Sequence, residues 1–378
     1  MDRKLTASLE DVQTIFGSLG PADFSAPLLE WYNLHERPLP WREKPTAYRV
    51  WVSEIMLQQT RIEAVLPYFE RFMEALPTVQ DLAFAETDFL MKLWEGLGYY
   101  SRARNLQKAA QQIVERWNGN LPASYEQLLS LPGIGEYTAG AVASIAFDIP
   151  VPAVDGNVMR VLARLFARQE DVMIPASKKF FWQIAREMVP DEKPGRFNQA
   201  IMELGETICL PNTAPKCAEC PLSGQCQAYK QGCQRQLPIR SSKKSRRLQE
   251  RTIFVLLSQG KDGIRRVLLH RRPETGLLSG LWELPGADVS LDVNEAMEAV
   301  EGYGHVLNSR ILPEGKHIFT HIEWHMKGYA FTLSSFSDVQ EDEYHWVTVE
   351  ELASNYALPS AFRIYSRLLP VLLEQKEN

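Results

Sequence analysis

Apolar positions along the chain change their period once. In the first half they recur at helical spacing. Val158, Val161, Leu162, Leu165 and Phe166 stand at i, i+3, i+4, i+7 and i+8; Phe180, Phe181, Ile184 and Met188 form a second such stripe, and Phe197, Ile201, Leu204 and Ile208 a third. These patterns predict amphipathic helices over 157–168, 180–189 and 197–208. Farther on the texture shortens. IFVLLS (253–258) and RRVLLHR (265–271) predict strands, HIFTHIEWHMKGYAFTL (317–333) a further strand pair, and FRIYSRLLPVLLEQ a closing helix interrupted at Pro370. Helices followed by strands predict an all-α domain over 1–233 and a smaller α/β domain over 251–378. A length of 378 residues fits two cores better than one. No internal repeat or low-complexity tract interrupts this order.

The stretch between the two textures, 234–250, reads as an interdomain linker. QRQLPIRSSKKSRRLQER (234–251) carries seven basic residues against Glu250 alone and has no helical apolar stripe. Such a run is ordinarily a solvated connector; the alternative is a strap in which Lys243, Lys244, Arg246 and Arg247 lie across a phosphate backbone. The alternative matters because the whole chain has a formal net charge of −6, which by itself disfavours nucleic acid as a partner. Any such partner must meet positive charge concentrated locally. The first residues, MDRKLTASLEDV, lack the apolar core of a secretory signal, and no apolar run is long enough to cross a bilayer, so a cytoplasmic protein is expected.

In a reducing compartment five cysteines point to metal or redox chemistry before disulfides. Cys209, Cys217, Cys220 and Cys226 form C-x7-C-x2-C-x5-C directly after the third apolar stripe. Four thiolates within eighteen residues can converge on one centre, with no nearby histidine to complete a mixed zinc site. Zinc sites usually pair two short knuckles, and only one is present, so the spacing favours an iron–sulfur cluster. Cys233 falls outside the set and reads as a spare thiol.

LPGIGEYTAGAVASIAF (131–147) is the second chemical signal. Pro132, Gly133 and Gly135 make a tight turn whose exposed N–H groups can receive an anion, and the small residues after it allow close backbone approach. The arrangement reads as a helix–hairpin–helix, a device that grips DNA phosphates without reading sequence. A turn between packed helices also needs glycine, so the flanking Leu-Pro and the following helix carry the specificity.

The hairpin, the Asp155-Gly156-Asn157-Val158 segment and the four cysteines, in that order, resemble the endonuclease III-like superfamily of base-excision glycosylases. LPWREKPTAYRVWVSEIMLQQTR (39–61), GLGYYSRARNL (96–106) and AVDGNVMRVLAR (153–164) are similar to its MutY-type adenine DNA glycosylase branch. The resemblance covers essentially the whole chain. It implies a multidomain protein: an all-α helix–hairpin–helix glycosylase domain with a 4Fe-4S cluster loop at 209–226, and a C-terminal Nudix-like α/β domain.

What the resemblance implies chemically can be set beside each residue. Cleaving adenine from deoxyribose requires a protonated leaving base and a stabilised oxocarbenium-like sugar. Glu54, flanked by Trp51 and Ile55, would donate the proton; otherwise it is an exposed helix acid. Asp155 would face the anomeric carbon; by position it is also a helix N-cap candidate. Asn157 would orient that site, and Tyr137 would place a hydroxyl near Asp155 where the endonuclease III branch supplies a lysine. Without that amine, a monofunctional enzyme is implied. Leu57, Gln59 and Tyr99 would fill the gap left by the extracted base, with Thr60-x-x-Glu63 read as a capping box opening a new helix.

In the C-terminal domain, GLLSGLWELPGA (276–287) is similar to Nudix proteins, yet the next segment lacks their R-E-x-x-E-E metal-binding core. Pyrophosphohydrolase activity is therefore not expected. Phe319-Thr320-His321 matches the family's Phe-Ser-His-like loop that contacts oxidised guanine, with a threonine for the serine. The first cysteine spacing is seven residues where the family has six. The implied partner is duplex DNA holding adenine opposite 8-oxoguanine or guanine, bound by a monomer. A bifunctional pyrimidine glycosylase/lyase and a non-enzymatic iron–sulfur DNA-binding protein are the alternatives.

Overall fold

The computed structural model describes residues 14–241, 245–335 and 343–374. They divide into two compact units, one comprising 1–84 and 104–242, the other 85–103 and 243–378. The second unit is thus discontinuous in sequence. Among the described residues no helix is long and apolar enough to cross a membrane.

The first unit is helical. Its main helices are α1 (Ala22–His35), α2 (Ala47–Leu57), α3 (Ile62–Ala75), α5 (Ser101–Trp117, from residue 104 on), α6 (Glu136–Phe147), α7 (Gly156–Leu165), α8 (Pro175–Met188) and α9 (Pro194–Thr207); α4 (Thr87–Leu93) and the first three residues of α5 belong to the second unit. The three stripes seen in the sequence lie on α7, α8 and α9. There Val158, Leu162, Phe181, Ile184, Phe197 and Leu204 share one core with Phe24 and Leu28 of α1. α6 is buried along Thr138–Ser144. Its small residues are needed for space: a Cβ on Gly140 would sit 2.1 Å from the Pro152 carbonyl oxygen. Asn198 fixes the extended approach to α7. Its Nδ2 donates to Ser144 Oγ (2.8 Å) and to the Val151 carbonyl (2.9 Å), and its Oδ1 accepts the Ala153 N–H (3.0 Å).

The α/β unit is built on a sheet of order β3-β2-β1-β6-β5, formed by β1 (Arg247–Gln259), β2 (Arg265–Arg271), β3 (Trp282–Glu283), β5 (Val306–Ile318) and β6 (Ile322–Leu333). Two further strands lie off that path: β4 (Gly286–Ala287) pairs with β1, and β7 (Tyr344–Val347) with β2. β1 and β6 run parallel, from Arg247 opposite Ile322 to Ser258 opposite Leu333; the other pairings are antiparallel. Both faces of β1 are covered. Ile253, Val255 and Leu257 enter one core with Trp324 and Phe362, while Phe254 and Leu256 enter another with Phe331. Such a strand reads as a continuous apolar run without alternation.

Two sequence expectations need adjustment. β1 begins at Arg247, inside the stretch read as a connector, because its main chain pairs with β6 even though its first side chains are largely exposed. Lys243 and Lys244 lie outside the described residues. The closing helix is two pieces, Arg363–Ser366 and Leu369–Glu374, and Pro370 sits in the first turn of the second, where no N–H is required.

Candidate active site

α2 starts at Thr46, whose hydroxyl accepts the Arg49 N–H, and its buried side carries Trp51, Val52, Ile55 and Met56. Glu54 stands among them and is only 6% exposed. An exposed helix acid is therefore excluded. Burial pushes its carboxyl up to about 7, with the nearby Asp155 charge adding to the effect and a hydrogen bond from Tyr137 opposing it. The Tyr137 hydroxyl, from the first turn of α6, donates to Glu54 Oε2 at 2.5 Å and lies 3.2 Å from Met202 Sδ. Burial, then the Glu54 and Asp155 charges, hold that phenol well above its ordinary range.

Asp155 caps α7. Its Oδ1 accepts the Val158 N–H (2.8 Å) and its Oδ2 accepts Asn157 Nδ2 (3.0 Å). Burial raises its pKa, against which the hydrogen bonds from Val158 and Asn157 and the Arg160 charge act. Asn157 is itself held, since Arg160 Nη2 donates to its Oδ1 at 2.9 Å. The same guanidinium donates to the Gly205 carbonyl (Nη2, 2.8 Å) and to the Cys209 carbonyl (Nε, 2.8 Å). A chain of polar contacts thus runs from Asp155 to the first cysteine. Gly205 leaves room for it: a Cβ there would meet Asn157 Cβ at 2.8 Å.

Glu54, Tyr137, Asp155 and Asn157 line one cavity of about 510 Å³, together with Leu57 and Gln59. A second, of about 650 Å³, shares Tyr137, Asp155, Leu57 and Gln59 and adds Lys178 and Trp182. The first also contains a charged wall that the sequence analysis did not single out. Glu203, 1% exposed, is paired with both Arg37 and Arg42 (2.8 Å to Arg42 Nη2), and Arg37 Nη2 lies 2.6 Å from Glu206. Glu203 and Glu206 sit three residues apart on α9 and could have been noticed as a polar break in its apolar stripe.

Leu57 closes α2, and Gln59 follows with φ 59°, in a turn that Gln58 ties to Thr138 Oγ1 (3.3 Å). Thr60 does not cap the next helix. Its hydroxyl lies 3.4 Å from the Gln58 carbonyl, and Arg61 is the N-cap of α3, without a side-chain cap bond. Gly133 has φ +76° and Gly135 precedes α6, so the hairpin turn forms as expected. The Tyr137 hydroxyl, expected near Asp155, lines the same two cavities as that acid and spends its hydrogen bond on Glu54.

In the α/β unit, Phe319-Thr320-His321 is the turn joining β5 to β6. Phe319 packs edge-on against Trp324 (4.8 Å), while Thr320 and His321 are exposed. Arg246 Nε donates to the Phe319 carbonyl (3.1 Å), and the Arg247 N–H to the His321 carbonyl (3.0 Å). Arg246 and the main chain of Arg247 are thus tied to the base of this turn, with both residues exposed. Tyr99, in the same unit, has φ 48° and is 47% exposed; its hydroxyl is 3.5 Å from Thr320 Oγ1.

Cys209, Cys217, Cys220 and Cys226 all border one small cavity of about 30 Å³, with Arg164, Ile208 and Pro215. Arg164 Nη1 donates to Cys209 Sγ (3.3 Å), and Cys226 Sγ lies 3.4 Å from the Arg164 carbonyl. Burial pushes the Cys220 thiol up to about 12 and raises Cys217 and Cys226 as well. Among the described residues no group of three or more His, Cys, Asp or Glu is gathered so as to hold a single metal ion. The Cys233 thiol lies apart, 3.9 Å from Gln231 Oε1.

Comparison with known proteins places these elements. Residues 52–186 match the HhH-GPD superfamily of base excision DNA repair proteins, and residues 253–367 match the NUDIX domain. The adenine DNA glycosylase of Mus musculus is 36% identical over 402 residues, spanning 90% of this chain and 78% of that protein. That of Buchnera aphidicola (subsp. Schizaphis graminum) is 33% identical over 321 residues, 85% of this chain and 90% of its own. A solved thermostable thymine-DNA glycosylase is similar at a TM-score of 0.51 and 27% identity, over 56% of this chain and 97% of that one.

Proposed function

Given that this chain belongs to the adenine DNA glycosylase family, we propose that it hydrolyses the N-glycosidic bond of adenine opposite 8-oxoguanine or guanine in duplex DNA, acting as a monomer and without strand cleavage. The observation that carries this reading is the meeting of Glu54 and Asp155, two carboxyl groups of different character, around one cavity. Tyr137 occupies Glu54 Oε2, which leaves Oε1 to carry the proton. A carboxyl near 7 holds that proton at neutral pH and can release it to an adenine ring nitrogen as the base departs. Asp155, with both oxygens hydrogen-bonded, is a fixed negative charge for the developing sugar cation, an effect worth several kcal/mol in a dry site. Water then completes the hydrolysis.

Binding follows from the same elements. The Gly133–Gly135 turn receives backbone phosphate, Leu57 and Gln59 enter the duplex where adenine leaves, and the Arg37–Glu203–Arg42 wall offers donors and acceptors to the edges of the extracted base. Thr320 and His321 face the opposing base. The test is single-turnover adenine release from duplexes with adenine opposite 8-oxoguanine and opposite thymine. Release from the first alone, without nicking and without a strong borohydride-trapped adduct, is expected. A trapped adduct would remove the monofunctional reading and direct attention to Lys178, which lines the second cavity with Asp155.

The four cysteines suit a 4Fe-4S cluster. All four border one cavity, its wall is largely apolar, and Arg164 offers an N–H to a sulfur, while the single C-x2-C knuckle lacks the second that a zinc site ordinarily pairs with it. When bound, the cluster supplies covalent tethers for the 209–226 loop and a redox-capable centre. Purified protein should show broad visible absorbance with stoichiometric iron and sulfide, and Cys220→Ser should lose both. Stoichiometric zinc in place of iron would overturn the assignment.

A further inference from the structure

Residues 85–103 lie in the helical half of the sequence but are built into the α/β unit. The attachment is polar and specific. Lys92 Nζ donates to the Leu352 carbonyl (3.0 Å) and the Tyr356 carbonyl (3.0 Å), and pairs with Glu95 Oε2 (2.7 Å). An ammonium has three N–H donors, and these contacts use all of them. Glu95 Oε1 in turn accepts the Leu358 N–H at 2.9 Å. At the other end of α4, the buried Trp282 indole donates to Asp88 Oδ2 (3.4 Å).

The turn that follows is braced internally. Trp94 Nε1 donates to the Gly98 carbonyl (3.1 Å), and Arg102 Nη2 donates to the Leu97 (3.1 Å) and Gly98 (3.2 Å) carbonyls. The Arg102 guanidinium lies over the Tyr99 ring at 5.6 Å. These contacts brace the 94–102 turn that follows Lys92, and the Tyr99 hydroxyl at its tip stands 3.5 Å from Thr320 Oγ1.

We propose that Lys92 and Glu95 are positioning residues for reading the base opposite adenine: they lock the Tyr99 turn onto the 352–358 loop, so that Tyr99 and Thr320 meet that base as one device. This rests on the reading of Thr320 as a contact to the opposing base. Neither side chain touches DNA in this scheme. Their effect is on discrimination, exerted through Tyr99.

The experiment measures single-turnover adenine release opposite 8-oxoguanine and opposite guanine for the full chain, Lys92→Met, Glu95→Gln, Tyr99→Ala and the Lys92→Met/Tyr99→Ala pair. Lys92→Met and Glu95→Gln should each shrink the preference for 8-oxoguanine by roughly three- to thirtyfold, the scale of coupling mutations. The pH profile set by Glu54 should not move. In the Tyr99→Ala background, Lys92→Met should change the preference no further. A preference unchanged in both single variants, or a Lys92 effect that persists without Tyr99, would overturn the proposal. Should Lys92→Met fail to fold, as judged by thermal melting, Glu95→Gln alone decides. A wild-type chain with no preference for 8-oxoguanine would instead sink the underlying reading of the turn.

Discussion

Replacing Glu54 with glutamine should cut single-turnover adenine release by about 10²–10⁴-fold, the range typical of losing a general acid. Glutamine keeps the shape and still accepts the Tyr137 hydroxyl bond, so the helical unit stays folded and the loss isolates the proton. In the parent, release should fall as pH rises past about 7, because the folded carboxyl then gives up its proton. The variant should lack that alkaline limb. Stability moves in a linked way. Burial raises the Glu54 pKa from 4.5 to about 7, so the folded state holds the proton more tightly than the unfolded chain. Below pH 4.5 this costs nothing; as pH climbs through the window to 7 the parent loses on the order of 3 kcal/mol. Glu54→Gln should therefore melt higher than the parent at pH 8 and alike at pH 4. An alkaline limb retained in the variant would exclude Glu54 as the proton donor.

Arg160→Met should be the most damaging single change away from the carboxyl pair. The guanidinium is 3% exposed and serves the carbonyls of Gly205 and Cys209 and the Asn157 side chain. Methionine fills the volume and leaves those acceptors without a donor, at about 1–3 kcal/mol for each buried group. A loss of about 3–5 kcal/mol is expected, read from urea unfolding followed by circular dichroism. Asn157 is freed as well, and Asp155 loses the positive charge that restrains its pKa. The acid limb of the activity profile should accordingly shift to higher pH. Lysine should not rescue, since one ammonium cannot reproduce the forked contacts of Nε and Nη2. Unaltered unfolding would show that water replaces the guanidinium.

How far the sequence could be read depended on the range of the forces involved. β2 spans the very residues that its apolar run marked, and α7 and α9 lie within one to three residues of their stripes, because local periodicity reports which side faces a core. The Asp155 cap was visible for the same reason: capping is a contact three residues long. Glu54 could be nominated only through a motif, since its burial is created by elements far away in sequence. The Arg37–Glu203 pair, 166 positions apart, has no local signature at all. β1 hid its first four residues, Arg247 to Glu250, which are mostly polar and largely exposed, since parallel pairing with β6 is a main-chain matter. Thr60 shows the opposite failure. Its capping pattern was present, but the turn around Gln59 drew the hydroxyl backward.

The discontinuous α/β unit has a consequence for how the protein is made. Residues 85–103 leave the ribosome long before their partners at 352–358 exist. At about 5–20 residues per second the wait is on the order of ten to fifty seconds, ample time for the helical half to collapse. During that interval Lys92 and Glu95 have only each other and water to bind and Asp88 only water, and the cost of burying such charges works against their entry into the nascent apolar core. The same polar side chains that later anchor the segment thus hold its place open through synthesis.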